Sequence, residues 1–435
     1  MPPSFCDAAA DDRCSPGAVP AAGEPLRVCD LVQFHSPISG GVKRFIEDKC
    51  RYFSDFPEVS HVVIVPGAND ACERRGRSRV HVVRSPRLIG SASYRILHDQ
   101  RRIEQVVVPF RPHVIEVGDP YLTAWIGRRL ARRLGCRIVG FYHSDYPRAW
   151  HRTIERFFGP WAGDRFERGV TAYLRRLYTG MDALVVASRR LETHWRSRGL
   201  RSKVHFIPLG VDTAQFRPRP ELRSATRAAW GLPERAPVLL YVGRLAREKR
   251  IDWLVQVHRR LLHEQPELRL VLIGDGEWRK RVSAWSRDEP RLVWQPYLGS
   301  SAALAAAFSS ADVFVHAGLG ETFGLSVLEA QACGCPVVAC RGSGLDDTVL
   351  PLPGNACVPA DDPVAWAEAI CSALAAGANA AVAHERHAAV SAELPAARTH
   401  SRLRDLYALL CQPRPGRPLT TNEVAARKDV RAPGR

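Results

Sequence analysis

Short runs of β-branched and aromatic residues alternate along the chain with longer stretches whose apolar positions recur every three or four residues. In the first half, LRVCDLVQF (26–34), SHVVIVPG (60–67), HVIEVGD (113–119) and RIVGFYHSD (137–145) are largely apolar and end in Gly, His, Ser, Asp or a neighbouring loop. Runs of this length predict strands of a parallel sheet covered on both faces, with the amphipathic stretches as crossover helices. The rhythm restarts after VHFIPLGVDTAQFRPRPE (204–221), whose prolines predict a linker. There follow strand PVLLYVGRL (237–245), helix IDWLVQVHRRLLHEQ (251–265), strand LRLVLIGDG (268–276) and helix EWRKRVSAWSRD (277–288). Strand RLVWQPYL (291–298), helix SAALAAAFSSA (301–311) and strand DVFVHAG (312–318) complete the series. The pattern is α/β and predicts two doubly wound domains, 26–210 and 211–410, between a disordered lead (1–25) and a basic, disordered tail (411–435). Open sheets of this kind bind ligands beyond the carboxyl ends of their strands, so two of them face to face enclose a cleft lined by loops.

No apolar run approaches the ~20 residues that span a bilayer, and the first 25 residues carry acids and prolines where a signal peptide needs a basic start and an apolar segment. A cytoplasmic protein is expected. The twelve cysteines are scattered, several within apolar runs (Cys335, Cys340, Cys357), and predict reduced, buried thiols. Cys333 and Cys335 have no further His or Cys group nearby to complete a zinc site. A formal net charge of +17 attracts phosphates, nucleic acid or an anionic membrane face without choosing among them. IGRRLARRLGCR (126–137), with Arg128, Arg129, Arg132 and Arg133, reads equally as a solvated helix face or a lipid-binding one. A nucleic-acid-binding protein is the non-enzymatic alternative, but no module signature accompanies the charge.

The densest chemistry lies in GETFGLSVLEAQACGCPVVAC (320–340). Strand DVFVHAG leads into loop LGETFG, then helix LSVLEAQACG and strand CPVVAC, so Glu321 sits in the loop and Glu329 inside the helix. Between them the backbone N–H groups of Thr322, Phe323, Gly324 and Leu325 lie at a helix N-terminus, an anion site, and Gly324 has no Cβ to obstruct approach. A phosphate there, with a carboxylate accepting hydroxyls on either side, suits a ligand with a sugar at both ends of its phosphates: ribose on Glu329, hexose on Glu321. In YVGRLAREKRIDWLV, Arg244 and Lys249 follow a strand end and precede a helix, where two cations meet a diphosphate and stabilise its charge as it leaves. Taken singly, each of these is as easily a solvated surface group; their joint placement at strand ends of one domain selects the ligand reading. In the first domain Gly40 and Gly41 offer backbone N–H groups to the same phosphates. His143 either donates to a sugar hydroxyl or is a hydrogen-bonded loop histidine. No Asp-x-Asp occurs, and no metal is assigned.

At these residues the sequence resembles the retaining glycosyltransferases of family 4, whose GT-B fold has two Rossmann-like domains facing across a cleft. GRLAREK resembles the donor-phosphate segment, IPLGVDTAQFRP the interdomain segment, and GETFGLSVLEAQACGCPVV the Glu-x7-Glu signature; with the first-domain GG and YHSD the likeness covers residues 26–410. It implies that Arg244 and Lys249 bind the donor diphosphate, Glu321 the donor sugar and Glu329 the ribose. Thr322, Phe323, Gly324 and Leu325 contribute backbone to sugar and phosphates, His143 lies near the donor sugar, and Gly40 and Gly41 lie near the phosphates. The implied reaction moves a mannose- or glucose-type hexose from a UDP or GDP sugar to an acceptor hydroxyl without metal or other cofactor, by front-face displacement and with no protein nucleophile. Ala317 and Gly318 replace a frequent Pro-Ser, and Asp347 a common glutamate, departures that bear on donor identity. YHSDYPR resembles a segment of bacterial mannosyl- and glycolipid-forming members, which implies a glycolipid or cell-envelope acceptor and, with the basic first domain, attachment to the inner membrane face. The alternative on the same scaffold is a nucleotide-sugar epimerase or hydrolase. A dinucleotide oxidoreductase is disfavoured because GDGEWR and GSGLDD lack the third glycine.

Overall fold

The computed structural model describes residues 20–21, 23–35, 40–88, 94–147, 155, 159–376 and 380–412. Its first sheet has eight strands: β1 (Leu26–Leu31), β2 (Val59–Gly67), β3 (Ala71–Arg75), β4 (Ser78–Arg84), β5 (Val114–Val117), β6 (Arg137–Tyr142), β7 (Ala183–Val186) and β8 (Val204–Phe206). Their order is β3-β4-β2-β1-β5-β6-β7-β8, parallel except where β3 runs against β4. The second sheet joins β9 (Val238–Val242), β10 (Arg269–Ile273), β11 (Leu292–Gln295), β12 (Val313–His316), β13 (Val337–Cys340) and β14 (Ala356–Val358) in the order β11-β10-β9-β12-β13-β14, all parallel. The direction of winding reverses between β1 and β5 in one sheet and between β9 and β12 in the other. At such a point neighbouring crossovers leave on opposite faces and open a crevice at the carboxyl ends. Central strands are buried throughout, as in Val114–Val117 and Val313–His316, and each buried Val or Leu contributes ~1.5–3 kcal/mol.

Three features differ from the sequence reading. The first three residues of the expected linker form edge strand β8, whose Val-His-Phe is too short to announce itself. Most of the expected lead and tail lies outside the described residues, yet Glu24 pairs with Arg27 and Cys411 is buried. The helix Ala396–Leu410, grouped by sequence with the second domain, returns to the first. There its Tyr407 hydroxyl hydrogen-bonds Glu116 on β5 and lies 3.0 Å from Lys49 Nζ. The two crossings between sheets run side by side: Val211 N donates to the Leu394 carbonyl and Ala396 N to the Val211 carbonyl, both at 3.0 Å. Gly210 is required there, because a Cβ would stand 2.4 Å from the Pro395 carbonyl carbon.

Of the cysteines expected to be buried, Cys335 and Cys340 are, whereas Cys357 is half-buried and Cys72 lies exposed on the β3–β4 hairpin. Arg128 does not join the solvated face of its helix, Leu122–Leu134. It is buried with its guanidinium 4.8 Å from the Trp125 ring, while Arg129, Arg132 and Arg133 are exposed. Among the described residues no single helix is long and apolar enough to cross a membrane.

Beneath the first sheet's crevice, Lys49 of helix Gly41–Ser54 is fully buried, with Nζ 2.8 Å from Asp30 and 3.0 Å from Glu116. Burial alone would lower its pKa, but the two carboxylates raise it above the usual lysine value. His61 lies 3.1 Å from the same Asp30. Burial opposes its protonation, yet the Asp30 carboxylate lifts it to about 9, and Lys49 with His61 pulls Asp30 down to about 2 against its own burial. Lys49→Met leaves buried Glu116 without a cation and Asp30 with His61 alone, and is expected to destabilise the protein by ~3–5 kcal/mol, measured by urea unfolding. Since His61 moves from 6.5 unfolded to about 9 folded, its contribution is complete below pH 6.5 and lost as pH rises through 9. The unfolding midpoint should fall across that window, and His61→Asn should flatten the fall.

Candidate active site

The second-domain half of the site sits at the β9/β12 reversal. After β9 the chain makes a 3-10 turn, Arg247–Lys249, and enters the helix Ile251–Leu261 through Arg250 at φ 53°. This turn aims Lys249 at the loop after β12, where its ammonium pairs with Glu321. His316, the last residue of β12, completes the set. Its Nδ1 accepts from the Gly318 N–H at 3.2 Å, so the ring proton is on Nε2 and is donated to Glu321 Oε1 at 3.2 Å. Burial would raise the Glu321 pKa, but Lys249 and the His316 hydrogen bond hold it well below the usual carboxylate range. Glu321 is therefore a permanent anion and hydrogen-bond acceptor, unsuited to proton donation.

The loop is fixed from behind. Gly324 starts the helix Leu325–Ala332 at φ 89°, where a Cβ would come 2.3 Å from Leu345 Cδ2. Gly344 N donates to the Glu321 carbonyl at 2.8 Å, and Thr348 Oγ1 hydrogen-bonds the Phe323 carbonyl. The Phe323 ring is buried in the core, so only its backbone can meet a ligand. Glu329 is 2% exposed, one turn inside the same helix.

First-domain residues meet this loop directly. Gly40 precedes and Gly41 begins the helix Gly41–Ser54, and a Cβ on Gly41 would touch Leu325 Cδ1 at 3.4 Å. One turn further, Arg44 pairs with Glu329 across the interface, its guanidinium 5.2 Å from the Phe216 ring. His143 follows β6, stacked on Phe141 with centroids 4.2 Å apart and edge-on to Phe45 at 5.2 Å. Burial, then the Lys49 charge, lowers its pKa to about 3, so its imidazole is neutral. Its carbonyl accepts from Thr322 Oγ1 at 2.8 Å. Asp347 accepts from the Arg189 N–H at 2.8 Å and forms a further bridge between the sheets.

The structure thus groups Lys249 with Glu321, Thr322 with His143, and Leu325 with Gly41. Arg244 stands apart: its side chain is 60% exposed and pairs one turn along with Glu248 at 2.6 Å. Sequence reasoning missed Arg44 and His316. The only signals were a lone arginine one turn beyond Gly40 and a histidine closing an apolar strand.

Residues 39–215 match the family described as Glycosyltransferase Family 4, and residues 236–376 that described as Glycosyl transferases group 1. A GDP-mannose-dependent alpha-mannosyltransferase of Mycobacterium tuberculosis is 31% identical over 295 residues, 66% of this chain and 70% of the relative. A GDP-mannose-dependent alpha-(1-6)-phosphatidylinositol dimannoside mannosyltransferase of the same species is 28% identical over 330 residues, 74% of this chain and 82% of that one. Among solved structures, sucrose-phosphate synthase from Thermosynechococcus elongatus superposes with a TM-score of 0.71 at 21% identity, covering 88% of this chain and 99% of that one. An Anabaena protein in complex with UDP and glucose superposes at 0.66 and 17% identity, covering 88% and 99%. Two parallel sheets meeting through their carboxyl-end loops, matched over both halves by these families, establish that the chain belongs to glycosyltransferase family 4 and is a hexosyltransferase of GT-B fold.

Proposed function

We propose that this enzyme transfers mannose from GDP-mannose to a hydroxyl of a glycolipid acceptor, with retention at the anomeric carbon and without metal. The observation that carries the reading is the convergence of Lys249 and His316 on an ionised Glu321 at the β9/β12 crevice. The GDP-mannose-dependent relatives favour mannose and guanine, and the phosphatidylinositol dimannoside enzyme favours a lipid acceptor. Such a donor and acceptor fit the cytoplasmic, inner-face location expected from the sequence.

In this reading Glu321 accepts hydrogen bonds from the mannose hydroxyls. Neutral His143 donates to or accepts from the same sugar. The backbone of Thr322, Phe323, Gly324 and Leu325, with that of Gly40 and Gly41, faces the phosphates. Arg244 and Lys249 stabilise the charge that grows on the diphosphate as the C1–O bond breaks. The acceptor oxygen bonds to C1 on the face the phosphate leaves, and its proton passes to a leaving phosphate oxygen. Glu329 receives the ribose hydroxyls, oriented by Arg44. The epimerase or hydrolase alternative has no observation in its favour.

In EDTA, GDP-mannose with a phosphatidylinositol-type acceptor is expected to give GDP and an α-mannoside, read by NMR of the anomeric proton. Arg244→Ala with Lys249→Ala should lower kcat/KM by ~10²–10³. Loss of activity in EDTA, inversion, or free mannose as the sole product overturns the reading. Arg44→Met and Glu329→Gln should each raise the KM for donor ~3–10-fold with kcat little changed, as expected for binding groups. Because the two residues act on one hydroxyl pair, their combined effect should be smaller than the product of the single ones.

A further inference from the structure

A small cavity lies where the two crossings between sheets pass behind the helix Leu325–Ala332. Among its walls are Arg44 and Asp48 of helix Gly41–Ser54, Gly210 and Val211 of the first crossing, Glu329, and His400 of the returning helix. Two carboxylates thus share one guanidinium: Glu329 from the second domain, and Asp48 from one turn along Arg44's own helix. Among the described contacts, Arg44 reaches Glu329 by one hydrogen bond, from Nη1 to Oε1. An unconstrained guanidinium aligns with a carboxylate through two nitrogens and two oxygens. Arg44 is constrained, because burial works against its charge and the Asp48 carboxylate works for it. Glu329 Oε2 is left outside the pair.

Asp48 is itself tied to the hinge. Its Oδ1 accepts from Arg51 Nη1 at 3.0 Å, and the same nitrogen lies 2.6 Å from Asp212 Oδ2 on the first crossing. The charged groups facing it are Arg44 and Arg51 from its own helix, Asp212 from the crossing and Glu329 from the second domain. His400 is neutral, lowered to about 3 by burial and then by the Lys49 charge. Burial, with Asp212 added and both arginines opposing, pushes Asp48 up to about 6. Raised from 3.8, this carboxyl binds its proton more tightly in the folded state than in the unfolded chain. Its contribution to stability is therefore complete below 3.8 and lost as pH rises through 6. A carboxylate kept where its charge costs stability points to a use other than holding the fold.

We propose that Asp48 is a positioning residue for the donor and acts through Arg44. Ionised, it draws the guanidinium back, so that Arg44 holds Glu329 by one oxygen and leaves the other to the ribose. Protonated, it releases Arg44 to close on both oxygens. The inference rests on the assignment of Glu329 to the ribose above, and it makes donor affinity the quantity that this proton controls.

The test is calorimetric binding of GDP-mannose to the full chain, without acceptor, at about pH 5, 6 and 7.5. The diphosphate of this ligand is esterified at both ends and keeps its charge across that range. The wild-type Kd is expected to rise from the highest pH to the lowest, within the ~3–10-fold assigned to Arg44 itself. Asp48→Asn keeps an oxygen for Arg51 without the charge. It should hold the raised Kd at every pH, with kcat at saturating donor unchanged and a melting temperature at about pH 7.5 no lower than the wild type's. In an Arg44→Met background the same substitution should change Kd by less than ~1.5-fold, because the group it acts through is gone. Asp119, beyond β5, is also raised to about 6 by burial. If Asp119 set the donor affinity, the pH dependence would survive in Asp48→Asn. That survival overturns the inference, as does a wild-type Kd that ignores pH or an equal effect of Asp48→Asn with and without Arg44. A wild type that binds no GDP-mannose even at about pH 7.5 overturns the ribose assignment too, so the two failures are told apart. Should Asp48→Asn fold poorly, Asp48→Glu decides: its Kd should still depend on pH with a shifted midpoint, and an unshifted one overturns the proposal.

Discussion

The Lys49 ammonium lies where three elements of distant sequence must meet: Asp30 on β1, Glu116 on β5 and Tyr407 on the returning helix. A buried charge without partners is strongly disfavoured, so these groups accept one another or the region does not close. The consequence for function is positional. Lys49 belongs to the helix whose first residue is Gly41 and which carries Arg44, so the contacts that neutralise Lys49 also fix how that helix presents Arg44 to Glu329. Through Tyr407 they hold the second crossing against the first, and the Gly210 approach to Pro395 leaves the paired crossings little room to slide.

From that alignment the cleft follows. Each parallel sheet has one place where its winding reverses, and the loops there meet in the interface: β1 supplies the helix carrying Arg44, β9 and β12 supply Lys249 and Glu321. The cross-domain bonds between Thr322 and His143, Glu329 and Arg44, and Asp347 and Arg189 all involve the loop after β12, its helix or the segment behind it. The contacts that join the two domains and the shape of the proposed donor site are thus one set. In the proposed reaction a ligand that engages Thr322 or Glu329 would meet groups that also join the domains.

Where the sequence was legible, the reason is burial on both faces. Strands β9, β10, β12 and β13 are continuous apolar runs because helices cover both sides, and the signature loop stands between two of them. The β3–β4 hairpin was invisible because its outer strand, Ala71–Arg75, is exposed and mostly charged, and β8 because three edge residues make no pattern. The returning helix could not be placed at all: its docking depends on Tyr407 finding Glu116, 291 positions away. Site residues recognised by their loops, Glu321 and Lys249, were brought together. Arg44 and His316 carry no local signature and act only through partners supplied by the fold. Arg128 shows the reverse, since its basic run read as a solvated or lipid-binding face, whereas the structure buries Arg128 with its guanidinium over the Trp125 ring.

The two cations assigned to the donor diphosphate in the proposed reaction are held differently, and the difference suggests a division of labour. Lys249 is largely covered and answers to Glu321, so any movement of its ammonium disturbs the carboxylate that would hold the sugar. Arg244 is exposed, and its partner Glu248 lies one turn along the same segment. Exposed pairs of that kind contribute only ~0.3–0.5 kcal/mol, little enough for a diphosphate to displace Glu248. A guanidinium that can exchange a weak carboxylate for two phosphate oxygens suits a charge that appears only as the leaving group departs. In the proposed reaction Lys249 would set the ground-state geometry through Glu321, while Arg244 would supply the stabilisation that grows along the reaction coordinate.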